Sequence, residues 1–113
     1  MPHVKLCTNK AMTSTEKESM LQGINRLITL IPGKTPEQTM VTFQDNSSLT
    51  MEGKSGPLCV MEVDIFQTAP LESKQRFVEE MFLFLKNDHS FPTDHVYIKL
   101  TEFDNWGAGG VYK

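Results

Sequence analysis

The stretch PLCVMEVDIF, residues 57–66, determines the predicted fold, because it repeats a pattern found at the start of the chain. It opens with a proline and continues as an alternating run that suits a strand with one buried face. The stretch PHVKLCT, residues 2–8, has the same opening proline and the same strand-like run. A helical pattern and a further strand-like run follow each stretch, so the sequence predicts two copies of one β-α-β unit.

A helix is predicted after the first strand of each copy. In the first copy, Thr15 is expected to be the N-cap, with Glu18 closing a capping box, and Pro32 and Gly33 end the helix. In the second copy, Pro70 suits the first helical turn. The apolar residues recur at helical spacing in both copies: Met20, Leu21, Ile24, Leu27, Ile28 and Ile31, then Phe77, Val78, Met81, Phe84 and Leu85.

The second strands are predicted at residues 39–43 and 95–101, so the pseudo-repeats cover about residues 2–45 and 57–103 of a single domain, residues 1–113. The offset between the copies is about 55 residues, a normal period for a duplicated unit. This order predicts an α+β fold, in which a four-stranded mixed sheet carries both helices on one face.

The helix-free face of that sheet is predicted to carry a mixture of side chains, including Tyr97 and Lys99 in the last strand and Glu62 in the third. Such a face is too apolar to remain in water and too polar for a dry core. We therefore expect a closed homo-oligomer in which other copies of the chain cover these faces.

Composition excludes several classes of protein. A net charge of −3 without a dense basic run argues against nucleic acid or an anionic membrane surface as a partner. Cys7 and Cys59 lie in apolar strand-like stretches, and no cysteine–histidine spacing suits zinc, so we expect no metal and no cofactor. Neither a signal peptide nor an apolar run of about 20 residues is present. The sequence predicts a cytoplasmic protein, with non-classical secretion as the alternative.

Four motifs, in this order, resemble the macrophage migration inhibitory factor family of the tautomerase superfamily. Pro2 follows Met1 at the start of the first strand, and residues 32–36 are similar to the family's Gly-Lys-x-Pro after the first helix. Residues 94–98, Asp-His-Val-Tyr-Ile, are similar to Asp-Arg-Val-Tyr-Ile, and Asn-Trp-Gly stands at residues 105–107. The resemblance covers nearly the whole chain.

The resemblance implies a homotrimer with active sites between subunits. It implies a keto–enol tautomerase, an isomerase of the phenylpyruvate tautomerase type, that acts on phenylpyruvate-like 2-oxo acids. Pro2, exposed by removal of Met1, would be the catalytic base. Lys34 of the same chain and Tyr97 of the neighbouring subunit would bind the substrate.

A proline amine is chemically suited to this role. A free α-amino group titrates at about 7.7–8.0, and burial or a nearby ammonium group lowers that pKa. An amine held at the end of a strand is then neutral at physiological pH and fixed in position, as a general base requires. While Met1 remains, the nitrogen of Pro2 is a tertiary amide without basicity.

Lys34 and Tyr97 each have a second interpretation. Lys34 would pair with the substrate carboxylate, or it is a solvated lysine favoured by the helix dipole. Tyr97 would donate a hydrogen bond to the developing oxyanion or to the carboxylate, or it is an aromatic residue that packs between strands.

Three further residues are candidates for substrate binding. Lys99 projects from the same face as Tyr97 and would favour acidic substrates, or it forms an ion pair with Glu62 or Asp64. Phe66 and Trp106 are predicted to wall the pocket for an aryl group, and Trp106 has a structural role at a subunit contact as its alternative.

Some segments depart from the family pattern. Residues 49–57 keep only part of a Phe-Gly-Gly-Ser stretch, and residues 107–113 place a small residue where many relatives carry an aromatic wall. These departures favour the alternative function, a cytokine-like protein that binds a receptor and has a vestigial pocket. Decarboxylation or dehalogenation ranks lower. Relatives that dehalogenate by hydrolysis generally use arginines, and the only arginines here, Arg26 and Arg76, lie in predicted helices.

Overall fold

A computed structural model describes residues 1–113 as two β-α-β units followed by a small hairpin. The elements are β1 (Pro2–Thr8), α1 (Ser14–Ile28), β2 (Met40–Gln44), β3 (Cys59–Phe66), α2 (Leu71–His89), β4 (Val96–Phe103), β5 (Gly107–Ala108) and β6 (Val111–Tyr112). Short 3-10 turns at Pro36–Gln38 and Thr93–His95 lead into β2 and β4. None of the helices is both long and apolar enough to span a bilayer.

The main sheet has the strand order β2-β1-β3-β4. The outer pairs are parallel and the central pair, β1 with β3, is antiparallel. His3 pairs with Met40 and Cys59 pairs with Val96, so partners in both parallel pairs lie 37 residues apart. The predicted four-stranded mixed sheet and α+β class are confirmed, and the two units join through β1 and β3.

One core lies between the sheet and the two helices. Alternate residues of β1 and β3, such as Val4, Leu6, Met61 and Val63, are completely buried. They form a single cluster with the apolar faces of both helices. Burial of each large aliphatic side chain contributes about 1.5–3 kcal/mol. The cluster therefore fixes which side of the sheet faces the helices and which side is left without them.

The start of α1 differs from the expectation. The prediction of Thr15 as N-cap, with Glu18, is wrong by two residues, because Thr13 is the N-cap and Glu16 closes the capping box. Each of the two hydrogen bonds between Thr13 and Glu16 is 3.1 Å long. The sequence contains Thr-x-x-Glu in both registers, and the ion pair from Lys10 to Glu16 at 2.6 Å favours the earlier one.

The glycine-rich tail forms a hairpin that the sequence pattern did not predict. Gly109 and Gly110 have φ angles of 60° and 82°, which suit a two-residue turn with both central residues in the left-handed region. Reciprocal backbone bonds between Trp106 and Lys113, each 3.0 Å, close the hairpin. The hairpin fixes the backbone position of Trp106 near the start of β1.

Candidate active site

The first residues of β1 are anchored in the interior of the sheet. Pro2 is buried and pairs with Ile65 of β3, while β2 lies on the other side of the same strand. The backbone N–H of Phe66 donates a hydrogen bond of 3.3 Å to the carbonyl of Met1. Because β1 has strands on both sides, the position of the Pro2 nitrogen is set by the sheet rather than by a mobile terminus.

Lys34 lies beside this terminus. Gly33 adopts a φ of 79° just before it, and the N–H of Lys34 bonds the carbonyl of Ile31, so a tight turn after α1 aims the side chain back at the sheet. Its Nζ donates a hydrogen bond of 3.0 Å to the carbonyl of Phe66. Burial lowers the pKa of the Met1 amino group, and the charge and hydrogen bond of Lys34 lower it further.

A cavity of about 500 Å³ opens next to Pro2. Its walls come from the amino terminus and β1, the turn and strand that follow Lys34, and the hairpin: Met1, Pro2, His3, Gln38, Met40, Trp106 and residues 107–109. This volume falls within the range of small-molecule sites. This region therefore contains the Met1 amino group of lowered pKa, the neighbouring Lys34, and a cavity of suitable size next to Pro2.

Trp106 lines the cavity and is packed between two other aromatic rings. Its ring centroid lies 6.5 Å from that of Phe66 and 5.6 Å from that of Phe103, the second in an edge-on arrangement. Phe66 does not line the cavity itself. It contacts the site indirectly, through the packing of Trp106 and through the carbonyl that holds Lys34.

Tyr97 lies at the other end of the sheet. It pairs with Val60 of β3, whereas Pro2 pairs with Ile65, so the two levels are five residues apart along that strand. At about 3.3 Å per residue, this separation is about 17 Å. Tyr97 is 62% exposed and borders a second, mostly apolar cavity with Leu49 and other residues. Within one chain, Tyr97 and Pro2 are not brought together.

Lys99 forms an ion pair in the isolated chain. Its Nζ lies 2.9 Å from Oε1 of Glu62, which is one of the two pairings that the sequence left open. The hydrogen bond and charge of Lys99 lower the pKa of the Glu62 carboxyl, and the charge of Lys5 acts in the same direction. Lys5, Glu62 and Lys99 are paired in register on three neighbouring strands.

The structure thus places Pro2 and Trp106 on one cavity. Lys34 lies beside the amino terminus without lining that cavity, and Tyr97 and Lys99 lie apart from these residues. Gln38, which also lines the cavity, was not identified from the sequence. Its one available signal was its position four residues after Lys34, in the turn that begins β2. That signal is weak, because only the fold places this turn against the hairpin.

Comparison with known proteins identifies relatives of this fold. A family model described as macrophage migration inhibitory factor matches residues 1–111. No curated protein matches by sequence.

Three solved structures illustrate the likeness of fold. MIF2 from Leishmania major superposes with a TM-score of 0.89 and 12% identity over 100% of this chain and 97% of its own. The macrophage migration inhibitory factor homologue from Prochlorococcus marinus gives 0.83 and 19% over 97% of both chains. A fused 4-OT protein, described as an asymmetric trimer, gives 0.84 and 13% over 96% of this chain and 94% of its own.

Proposed function

Because the chain belongs to the macrophage migration inhibitory factor family, we propose that it is a keto–enol tautomerase of phenylpyruvate-like 2-oxo acids. Pro2 is the general base after removal of Met1, which makes the protein an isomerase. The observation that carries this proposal is the position of the Met1 amino group beside Lys34. Burial lowers the pKa of that amino group, and the positive charge of Lys34 lowers it further. We expect the same surroundings to keep the amine of Pro2 neutral, one residue further along β1.

The reaction needs one base and one cation from this end of the sheet. The neutral Pro2 nitrogen accepts a proton from the carbon next to the substrate carbonyl, and the resulting ammonium returns a proton to the enolate oxygen. Reversal of the same two transfers converts enol to ketone. Lys34 binds the substrate carboxylate as a point charge. Because Lys34 is close to the amino terminus, the same charge also favours the neutral form of the amine.

The remaining residues come from a second copy in a homotrimer. Tyr97 of a neighbouring subunit donates a hydrogen bond to the oxyanion. Lys99 of that subunit, although paired with Glu62 of its own chain, adds positive charge near the substrate. Two observations support an assembly: Tyr97 is largely exposed next to an apolar cavity, and it lies too far from Pro2 of its own chain. The solved 4-OT relative is described as a trimer.

Trp106 forms the aromatic wall of the substrate site in this proposal. Its ring borders the cavity beside Pro2 and is supported by Phe66 and Phe103. Phe66 contributes to substrate binding through this support and through its carbonyl, which positions Lys34.

The decisive experiment measures ketonisation of enol-phenylpyruvate by protein whose loss of Met1 has been verified by mass spectrometry. Pro2→Gly replaces the ring-fixed amine with a freely rotating one, and we expect kcat/KM to fall by about 10- to 100-fold. Pro70→Gly, at the exposed start of α2, is the matched control and should leave the rate unchanged. Equal rates for wild type and Pro2→Gly would rule out the proline base.

The alternative is a cytokine-like protein that binds a receptor. It would be favoured if the processed wild-type protein shows no ketonisation. We propose the cytoplasm as the site of action, because Cys7 and Cys59 are both free thiols, as is usual in a reducing compartment.

A further inference from the structure

We propose that Gln38 determines substrate specificity and that the site prefers 2-oxo acids whose far end carries an uncharged hydrogen-bonding group. The inference rests on the proposed function for the orientation of the substrate, with its carboxylate at Lys34. The juxtaposition that carries it is the free amide of Gln38 at the outer part of the cavity that begins at Pro2.

Gln38 lies between two adjoining cavities. The inner one, next to Pro2, and an outer one of about 470 Å³ share Gln38, Trp106, Ala108 and Gly109, together with Met1, which processing removes. The outer cavity no longer touches Pro2 and continues to Val111. A substrate that is bound at Pro2 by its 2-oxo acid end, and whose ring carries a further substituent, would therefore extend along Gln38.

The side-chain amide of Gln38 has no partner within the chain. The backbone N–H of Gln38 bonds the carbonyl of Thr35 at 3.2 Å, which fixes the turn, but no side-chain hydrogen bond involves its amide. That amide offers two donors and an acceptor to a ligand. A ligand amide or hydroxyl can use both kinds of group, whereas a hydrocarbon leaves them unpaired.

The part of the cavity wall that the hairpin supplies is small and uncharged. Gly107, Ala108 and Gly109 present no side chain larger than a methyl group, so the cavity has room for a substituent beyond the ring. Met40 and Trp106 also line this cavity and supply apolar surface. Lys113 stands further out, on the outer cavity alone, and is exposed to solvent. These neighbours favour a neutral polar group at the level of Gln38.

Binding of para-substituted cinnamates tests the inference without requiring catalysis, because a cinnamate keeps the carboxylate and the planar arm but has no oxo group to tautomerise. Calorimetry on the processed protein would compare 4-carbamoylcinnamate with 4-isopropylcinnamate, which has a similar shape. We expect the carbamoyl compound to bind about five- to tenfold more tightly. Gln38→Leu should remove this preference, and Gln75→Leu, an exposed glutamine on α2, should retain it.

Equal affinity for the two compounds in the wild-type protein, or an unchanged preference in Gln38→Leu, would overturn the inference. Tighter binding of 4-carboxycinnamate than of the carbamoyl compound would also overturn it, because Lys113 would then set the preference. If the preference holds while enol-phenylpyruvate is not ketonised, the specificity assignment stands and the proposed reaction fails. If ketonisation proceeds without any preference, the reaction stands and the assignment fails.

Discussion

Lys34 acts on two neighbours at once. Its Nζ donates a hydrogen bond to the carbonyl of Phe66, and its positive charge adds to the effect of burial in lowering the pKa of the Met1 amino group. In the proposed mechanism the same charge also binds the substrate carboxylate. Removal of the charge should therefore change the substrate affinity and the pKa of the base together. Loss of a lysine with a merely structural role would not produce this joint change.

Replacement Lys34→Gln keeps most of the length of the side chain and removes its charge. We expect KM for enol-phenylpyruvate to rise by about tenfold or more, because a charge-assisted contact is lost. We expect the pKa of the Pro2 amine to rise as well, since Lys34, which lowers the pKa of the Met1 amino group in the unprocessed chain, would no longer disfavour the protonated form. The acid limb of the kcat/KM profile should consequently move to higher pH.

Lys86→Gln, an exposed lysine near the end of α2, provides the control for loss of one positive charge. Its pH profile should coincide with that of wild type. A Lys34→Gln profile that also coincides with wild type would contradict the electrostatic role assigned to Lys34, whatever the change in KM.

Residue-level features of the site were only partly predictable from the sequence. Pro2 and Lys34 were predicted together because each belongs to a short motif that resembles a known family. Gln38 was missed because its place in the cavity wall depends on the approach of residues 107–109, about 70 positions later in the chain. Contacts between turns far apart in sequence leave no periodic signal.

At the level of elements, α1 and α2 are held together by a close contact at Gly23. A Cβ atom added there would lie 2.0 Å from Cζ of Phe84, whose ring belongs to the core. No side chain fits at that distance, so the helices pack closely only because this position is glycine.

Gly23→Ala should destabilise the protein by about 1–3 kcal/mol in urea unfolding at a fixed protein concentration. Alanine alone would favour the helix by up to about 1 kcal/mol, but overlap with the buried Phe84 ring outweighs that gain. Gln22→Ala, at the exposed neighbouring position, should be neutral or slightly stabilising. A stabilised Gly23→Ala variant would mean that the helices separate without cost.

The elements themselves were easier to predict than their ends. β1 was predicted at residues 2–8 and is found there, because alternating burial and an opening proline mark it clearly. The predicted start of α1 was two residues too late, because two overlapping Thr-x-x-Glu patterns carry equal local signals. The terminal hairpin was missed although Gly109 and Gly110 form its turn, because the strands beside them have only two residues each.

At the scale of the whole molecule, the helix-free face of the sheet is crossed by alternating charges. Glu62 pairs in register with Lys5 on one side and with Lys99 on the other, and the Lys99 contact is 2.9 Å. In an isolated chain this pair is well exposed, and such pairs contribute about 0–1 kcal/mol. If the same face is covered in a trimer, loss of one partner leaves a buried charge unpaired and costs about 3–5 kcal/mol.

Glu62→Gln therefore distinguishes a covered face from a free one. We expect the variant to dissociate at concentrations where wild type remains assembled, as measured by sedimentation, while Glu79→Gln on the exposed side of α2 behaves as wild type.

Since Lys99 lowers the pKa of Glu62, the wild-type pair contributes fully above the ordinary glutamate pKa, and its contribution is lost as pH falls through the lowered value. Acidification should thus weaken wild type toward the variant. A monomeric wild type, or an assembly indifferent to Glu62→Gln, would mean that the inward orientation of this face is wrong, and that Tyr97 cannot reach a neighbour's Pro2 by this route.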